Sequence, residues 1–354
     1  MKIGFVRRGH SSTGGAEAYL IRLATSLRSR GEDTTLITTP DWPTERWPFG
    51  DIQRLVGKSP REFAAAFQSA RTGCDIHFSM ERVPGCDIYR AGDGVHAAWL
   101  ARRDAFEPFW KRATRWMNRK HSEILDLESS VFDPSKTRLV IANSRMIRDE
   151  ILTHFKFPQD RVRIVYNGIH PITQLPPREE ARRRLGISPD TFCALFLGTG
   201  WERKGLSTAI KAMEMVDDAT LLVAGRGPAD LYRGRNVRFL GPVSNIAALF
   251  SAADVMTLPT WYDPFSNACL EALAAGLPVI TTNANGFSEI MTPEIHGSIV
   301  PTGDALALAE AIESWRNADR RTEARPVCLK LADEYSMERN AQETLAILDS
   351  LQGD

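Results

Sequence analysis

Apolar residues in this chain fall into short β-branched runs separated by stretches with helical spacing, and the two kinds alternate along its length. The run at 3–6 is followed, after Gly14-Gly15, by Ala16, Tyr19, Leu20, Leu23, Ala24 and Leu27 at the spacing of an amphipathic helix, which Gly31 ends. A strand at 34–38 completes a βαβ unit with a glycine-rich turn. Two short strands are expected within 76–96, then a strand at 139–142, a helix at 146–155 and a strand at 162–166. The turn Asn167-Gly168 leads into Pro-rich, charged residues 171–184, the best linker signal in the chain. Strands at 192–197, 220–224, 237–240, 254–258 and 279–282 follow. Helices are predicted between them: one ending at 215, one at 245–251, and one opened by Ser266 or Asn267 and closed by Gly276. Helices at 305–315 and 336–351 finish the pattern, which predicts α/β layers built on parallel sheets.

At 354 residues the chain is too long for one ordinary core and fits two domains of about 150 residues each. Lys plus Arg and Asp plus Glu both total 44, so net charge gives no argument for a nucleic-acid partner. Cys74, Cys86, Cys193, Cys269 and Cys328 form no CxxC pair and are odd in number, which suits a reducing cytosol without structural zinc. The first strand meets Arg7 and Arg8 too soon for a signal peptide, and no stretch approaches the roughly 18 apolar residues of a membrane span. A soluble protein that can sit on a surface is expected.

Gly14-Gly15 at a helix start suits phosphate, because glycine lets backbone amides approach an anion closely. No G-x-G-x-x-G follows the first strand, Gly198-Thr199-Gly200 and Gly225-Arg226-Gly227 lack the third glycine, and no Walker A sequence occurs, which counts against a dinucleotide enzyme. Arg203 and Lys204 lie at the carboxyl end of a predicted strand beside a helix start, where fixed cations suit a diphosphate whose charge grows on leaving. In 259–282, a Pro-marked turn carries Asp263, and the unpaired backbone N–H groups of Phe265, Ser266 and Asn267 are expected to point toward it. Glu271, four residues after Asn267, shares the helix face that looks back at the loop. An acid near a helix start can also serve the dipole alone. Asp93 and His96, in a loop at strand ends, compete as polar site groups. In 99–121, Arg102, Arg103, Lys111, Arg112, Arg115, Arg119 and Lys120 stand against only Asp104 and Glu107, with interleaved aromatics. A helix over 109–121 would put Trp110, Ala113 and Met117 beside a basic row, a pattern that fits an anionic membrane surface, an anionic acceptor, or a solvated helix packed by its Trp stripe.

Asp263 and Glu271, spaced D-x7-E and followed by Ala274-Ala275-Gly276-Leu277-Pro278-Val279-Ile280, resemble the E-x7-E signature of the family 4 glycosyltransferases, retaining enzymes of the GT-B fold. Here the first acid is Asp, one methylene shorter. The stretch 83–93, Val-Pro-Gly-Cys-Asp-Ile-Tyr-Arg-Ala-Gly-Asp, is similar to a loop of the lipopolysaccharide core glucosyltransferase subgroup in which the Asp lies at the donor sugar, and this favours Asp93 over His96. The resemblance implies two Rossmann-like βαβ domains facing a central cleft. Residues 1–170 would bind the acceptor, 171–334 the nucleotide sugar, and 335–354 would form a helix crossing back to the first domain, with a hinge near Asn167-Gly168. It implies Asp263 and Asp93 at the donor sugar with the Phe265, Ser266 and Asn267 amides, and Glu271 on the ribose. Lys204 with the Gly14-Gly15 amides would hold the diphosphate, Arg203 would stand in for an arginine that many members carry just after the strand, and the base would lie near 239–245.

The implied reaction is retaining transfer of a hexose, glucose foremost, from a UDP-sugar to a saccharide acceptor on a lipid-linked glycan such as lipopolysaccharide core. Asp263, Asp93 and Lys204 would act as positioners, with the leaving phosphate taking the acceptor proton, no metal, and no cofactor beyond the UDP-sugar. Two other readings stand beside it: a family 4 enzyme with another sugar, such as GlcNAc or galactose, and another acceptor, or a non-catalytic sugar-nucleotide or glycan binder at a membrane. The expected location is cytoplasmic, and peripheral on the inner membrane if 99–121 binds lipid.

Overall fold

The structure is a computed structural model that describes residues 2–10, 15–104, 106–107, 119–172 and 174–351. It divides into two compact units, Met1–Asn167 with Met337–Asp354, and Gly168–Ser336.

The first unit holds a seven-stranded parallel sheet in the order β3-β2-β1-β4-β5-β6-β7. Its strands are β1 Lys2–Val6, β2 Asp33–Thr38, β3 Gly50–Arg54, β4 Ile76–Ser79, β5 Ile88–Arg90, β6 Leu139–Ala142 and β7 Val162–Ile164. Helices α1 Gly15–Arg28, α2 Pro60–Ser69, α3 His96–Arg103, α4 Arg119–Val131 and α5 Arg145–Phe155 accompany them. Side-chain alternation sorts the strands between two cores. Ile3, Phe5 and Leu36 pack in the cluster that holds Leu20, Leu23 and Leu27 of α1, whereas Val6 and Ile37 pack with Phe63 and Phe67 of α2. A parallel sheet covered on both faces needs this double burial.

The second unit repeats the plan with six parallel strands in the order β10-β9-β8-β11-β12-β13. These are β8 Phe192–Leu197, β9 Ala219–Ala224, β10 Val237–Gly241, β11 Val255–Leu258, β12 Val279–Thr282 and β13 Gly297–Val300. The helices are α6 Arg178–Leu185, α7 Leu206–Met213, α8 Ile246–Ala252, α9 Asn267–Ala274, α10 Ala305–Ser314 and α11 Ala318–Glu334. The order reverses between β8 and β11, and the carboxyl end of such a switch point is where doubly wound sheets place ligands. The chain then returns to the first unit as α12 Met337–Ser350, whose Met337, Ala341, Leu345 and Leu348 join the core beside α1.

Several elements differ from expectation. The charged stretch read as linker contains α6, which buries Ala181 and Arg182 and ends at Gly186 in the left-handed region (φ 62). β3, α2, α3, α11, β13 and α4 beyond His121 carry no prediction, and β7 stops at Ile164, ahead of Tyr166 and Asn167, which accept from Asn340 and Arg90. Among the described residues, no helix is long and apolar enough to cross a membrane.

Candidate active site

Two loops of the second unit meet at the switch point. The loop after β8 runs through Gly198, where Nζ-bearing Lys204 lies so close that an added Cβ would stand 2.8 Å from its Cδ and Cε. It ends at Gly205, whose φ of +78 turns the chain into α7 and whose missing Cβ would otherwise sit 1.9 Å from the Pro259 carbonyl. The loop after β11 is laced to it. The Trp261 N–H and the Thr260 hydroxyl donate to the Arg203 carbonyl at 2.8 and 2.9 Å, and Arg203 Nη1 donates to the Tyr262 carbonyl at 2.7 Å. At the centre, Lys204 Nζ donates to Asp263 Oδ2 at 2.9 Å.

Asp263 is buried, at 5% exposure, and its main chain bridges to the loop after β12, donating to Ala284 and accepting from Gly286, both at 2.9 Å. Burial by itself would push its carboxyl up. Lys204, Arg203 and the Phe265 N–H together outweigh that and hold it below the usual carboxylate range. The carboxylate is therefore ionised, and it is the fixed negative partner of the lysine.

The start of α9 is arranged differently from expectation. The Phe265 amide serves Asp263, but the Ser266 amide donates to Asn285 Oδ1 at 3.2 Å and is neither unpaired nor directed at Asp263. The Ser266 hydroxyl caps the helix by accepting from Cys269 N. Asn267 and Glu271, one turn apart on α9, are half-buried.

Asn285 is the residue that sequence reasoning missed. Fully buried, it accepts from the Ser266 and Phe287 amides and donates through Nδ2 to Thr281 Oγ1 at 3.0 Å, so one amide side chain ties the start of α9 to the end of β12. Its place before Gly286 reads as an ordinary turn. Trp201 was also overlooked. Its Nε1 donates to the Gly198 carbonyl at 3.0 Å, and its ring lies 5.6 Å from that of Phe239, at the edge of the segment expected to meet a nucleotide base.

The remaining candidates belong to the first unit. Gly15 opens α1, and Gly14 lies outside the described residues. Asp93 is exposed in the loop after β5, with Arg82 Nη1 3.9 Å away. Arg82 also donates to the Gly94 carbonyl and to the buried Glu128, and Glu128 accepts the His96 and Ala97 amides at the start of α3. The His96 ring is stacked on His121, Nε2 to Nδ1 2.9 Å. Most of the basic segment, including residues 109–118 of the helix expected over 109–121, lies outside the described residues. Its described cations Arg102 and Arg103 are ion-paired with Glu150 and Glu107. Among the described residues, no cluster of three His, Cys, Asp or Glu side chains is placed to hold a metal ion.

The chain has known relatives. Residues 13–171 match the family described as Glycosyltransferase Family 4, and residues 191–317 match Glycosyl transferases group 1. The lipopolysaccharide glucosyltransferase WaaG of Escherichia coli K12 is 23% identical over 327 residues, 85% of each chain. An uncharacterized glycosyltransferase of Methanocaldococcus jannaschii is 33% identical over 199 residues, which span 50% of this chain and 51% of that one. The crystal structure of WaaG superposes with a TM-score of 0.81 at 20% identity, covering 98% of this chain and 99% of that one. Anabaena HepE in complex with UDP-glucose gives 0.76 at 18% identity, covering 99% and 100%. With two family matches that together span both parallel-sheet units, and a fold shared over almost the whole length, the chain belongs to the family 4 glycosyltransferases and has the GT-B fold.

Proposed function

We propose that the protein transfers a hexose, glucose foremost, from a UDP-sugar to a saccharide of a lipid-linked glycan such as lipopolysaccharide core, with retention at the anomeric carbon. The observation that carries this reading is the buried Lys204–Asp263 ion pair at the switch point, flanked by Arg203 and the start of α9. Similarity to WaaG over 85% of each chain supports the acceptor class, and likeness to a fold that holds UDP-glucose in HepE supports the donor.

Lys204 and Arg203 would neutralise the diphosphate as its charge grows on departure, so no metal is required for that role. Asp263, fixed by the lysine, would accept from a donor-sugar hydroxyl, and Glu271 from the ribose. Asp93 would be a further partner of the donor sugar. With these groups as positioners, the acceptor hydroxyl attacks on the face that UDP leaves and passes its proton to the leaving phosphate, and the enzyme supplies orientation and fixed charge instead of a nucleophile. The cytoplasmic face of a membrane, reached through the basic segment 99–121, is the proposed place of action.

The test is release of nucleoside diphosphate from UDP-glucose, UDP-galactose, UDP-GlcNAc and GDP-mannose, without metal or acceptor. Release from UDP-glucose alone is expected. Release from another donor would move the assignment to a different family 4 activity, and neither release nor binding of any donor would sink the catalytic reading.

A further inference from the structure

At the opposite edge of the second sheet, where β8, β11 and β12 begin, lies a cavity of about 250 Å³ walled by Arg178, Asp254, Gly276, Arg321, Thr322 and Arg325. Three guanidiniums pair with its single carboxylate, and a fourth, that of Arg325, lines the wall. Asp254 is buried and receives Arg178 Nη2 at 2.6 Å, Arg182 Nη2 at 2.8 Å and the Cys193 amide at 2.8 Å, with Arg321 Nη2 3.2 Å away. Arg182 is a framework residue, since its other groups donate to the carbonyls of Ala252, Ser188, Pro189 and Thr191. Arg178 and Arg321 each turn Nη1 to main-chain carbonyls and Nη2 to Asp254, and both line the cavity. Arg325 makes one hydrogen bond, Nη1 to the Ala275 carbonyl at 3.1 Å, and among the described residues it pairs with no carboxylate. Burial lowers the Arg321 pKa against the pull of Asp254, and the neighbouring Arg178 and Arg182 add to the lowering.

We propose that this cavity is a second ligand site, separate from the donor site, that binds a small phosphomonoester through Arg321, Arg325 and Arg178. Guanidinium forks match phosphate oxygens in pairs, and a charge surplus of this kind favours a dianion over a neutral ligand. The volume equals about eight waters at roughly 30 Å³ each, which is room for a phosphate on a short carbon skeleton and below the roughly 300 Å³ at which drug-sized sites begin. Strands of four to six residues separate this edge from the Lys204–Asp263 pair, a span of about 13–20 Å. One element reaches both. The start of α9 adjoins Asp263, and its C-terminal Ala275 and Gly276 hold Arg325. An anion that draws Arg325 from the Ala275 carbonyl therefore acts on a helix whose other end shapes the donor site.

The experiment is calorimetric titration of glycerol 3-phosphate into the full chain already saturated with UDP, at fixed ionic strength. One further binding event is expected, weakened about tenfold by Arg325→Gln and partly restored in Arg325→Lys, which keeps the charge without the fork. It should persist in Lys204→Ala. No heat in the wild type, equal affinity in Arg325→Gln, or loss in Lys204→Ala protein that circular dichroism shows to be folded would each overturn the proposal. Flotation with phosphatidic acid vesicles distinguishes the source: Arg325-dependent flotation would identify a lipid phosphate, and its absence alongside the calorimetric event a soluble one.

Discussion

Lys204 and Asp263 stand 59 positions apart in the chain, yet they form one buried ion pair, and each supplies what the other's burial requires. Removing one side of such a pair leaves an unpaired buried charge. Lys204→Ala is expected to cost about 3–5 kcal/mol at neutral pH, measured by urea unfolding. The pH dependence follows from the Asp263 carboxyl, which lies below its ordinary value. A depressed acid stabilises the fold fully above its unfolded pKa of about 4 and loses that contribution as pH falls through the native value. The gap between wild type and Lys204→Ala should hold from about pH 8 to 5 and narrow below about pH 4. Asp263→Ala should abolish turnover while UDP still binds, because it leaves the lysine available to phosphate, whereas Lys204→Ala should weaken both. Both residues stood out in the sequence as candidates, one beside a helix start and one in a Pro-marked turn. Their direct contact did not, because it depends on which loops a parallel sheet brings side by side. Asn285 was illegible for a related reason: a buried asparagine and a turn asparagine look alike until the amides it accepts from, Ser266 and Phe287, are known.

At the scale of elements, the strands carrying Val, Ile and Leu on both faces were legible because full burial leaves an apolar run, as in β8 and β11. Those that escaped had no such run. β3 is an edge strand with the largely exposed sequence Gly-Asp-Ile-Gln-Arg, and α6 reads Arg-Glu-Glu-Ala-Arg-Arg-Arg-Leu, whose buried face includes an arginine stem paired with Asp254. α11 carries Pro326 inside it and seldom repeats an apolar position. The tight join between the loops after β8 and β11 gives an element-scale prediction. Gly205→Ala forces a side chain into a left-handed turn and against the Pro259 carbonyl, so a loss of about 2 kcal/mol or more is expected. The variant should also bind UDP more weakly in calorimetry, since Arg203 and Lys204 immediately precede the glycine. Unchanged UDP affinity would mean that the loop holds its cations without this contact.

Across the whole molecule, the repeated βαβ rhythm made both parallel sheets legible, whereas the surplus of arginine around Asp254 was hidden among scattered charged helices. The second unit is one continuous stretch, Gly168–Ser336, whereas the first is made of two pieces that the second separates. Ending the chain at residue 336 should remove Met337, Ala341, Leu345 and Leu348 from the first core, on the order of 1.5–3 kcal/mol for each large side chain. That sum rivals the entire stability of an ordinary domain, so the truncated protein is expected to recover poorly in the soluble fraction, with limited proteolysis attacking residues 1–167 before 168–336. The same arrangement sets an order on the ribosome. A chain made from its N-terminus usually folds its leading domain first, but here the leading sheet must wait, with the apolar side of α1 uncovered, until every residue of the trailing unit has emerged and α12 has followed. The unit made second can be complete before the unit made first, and a chaperone that shields α1 in the interval would decide how much of the protein matures.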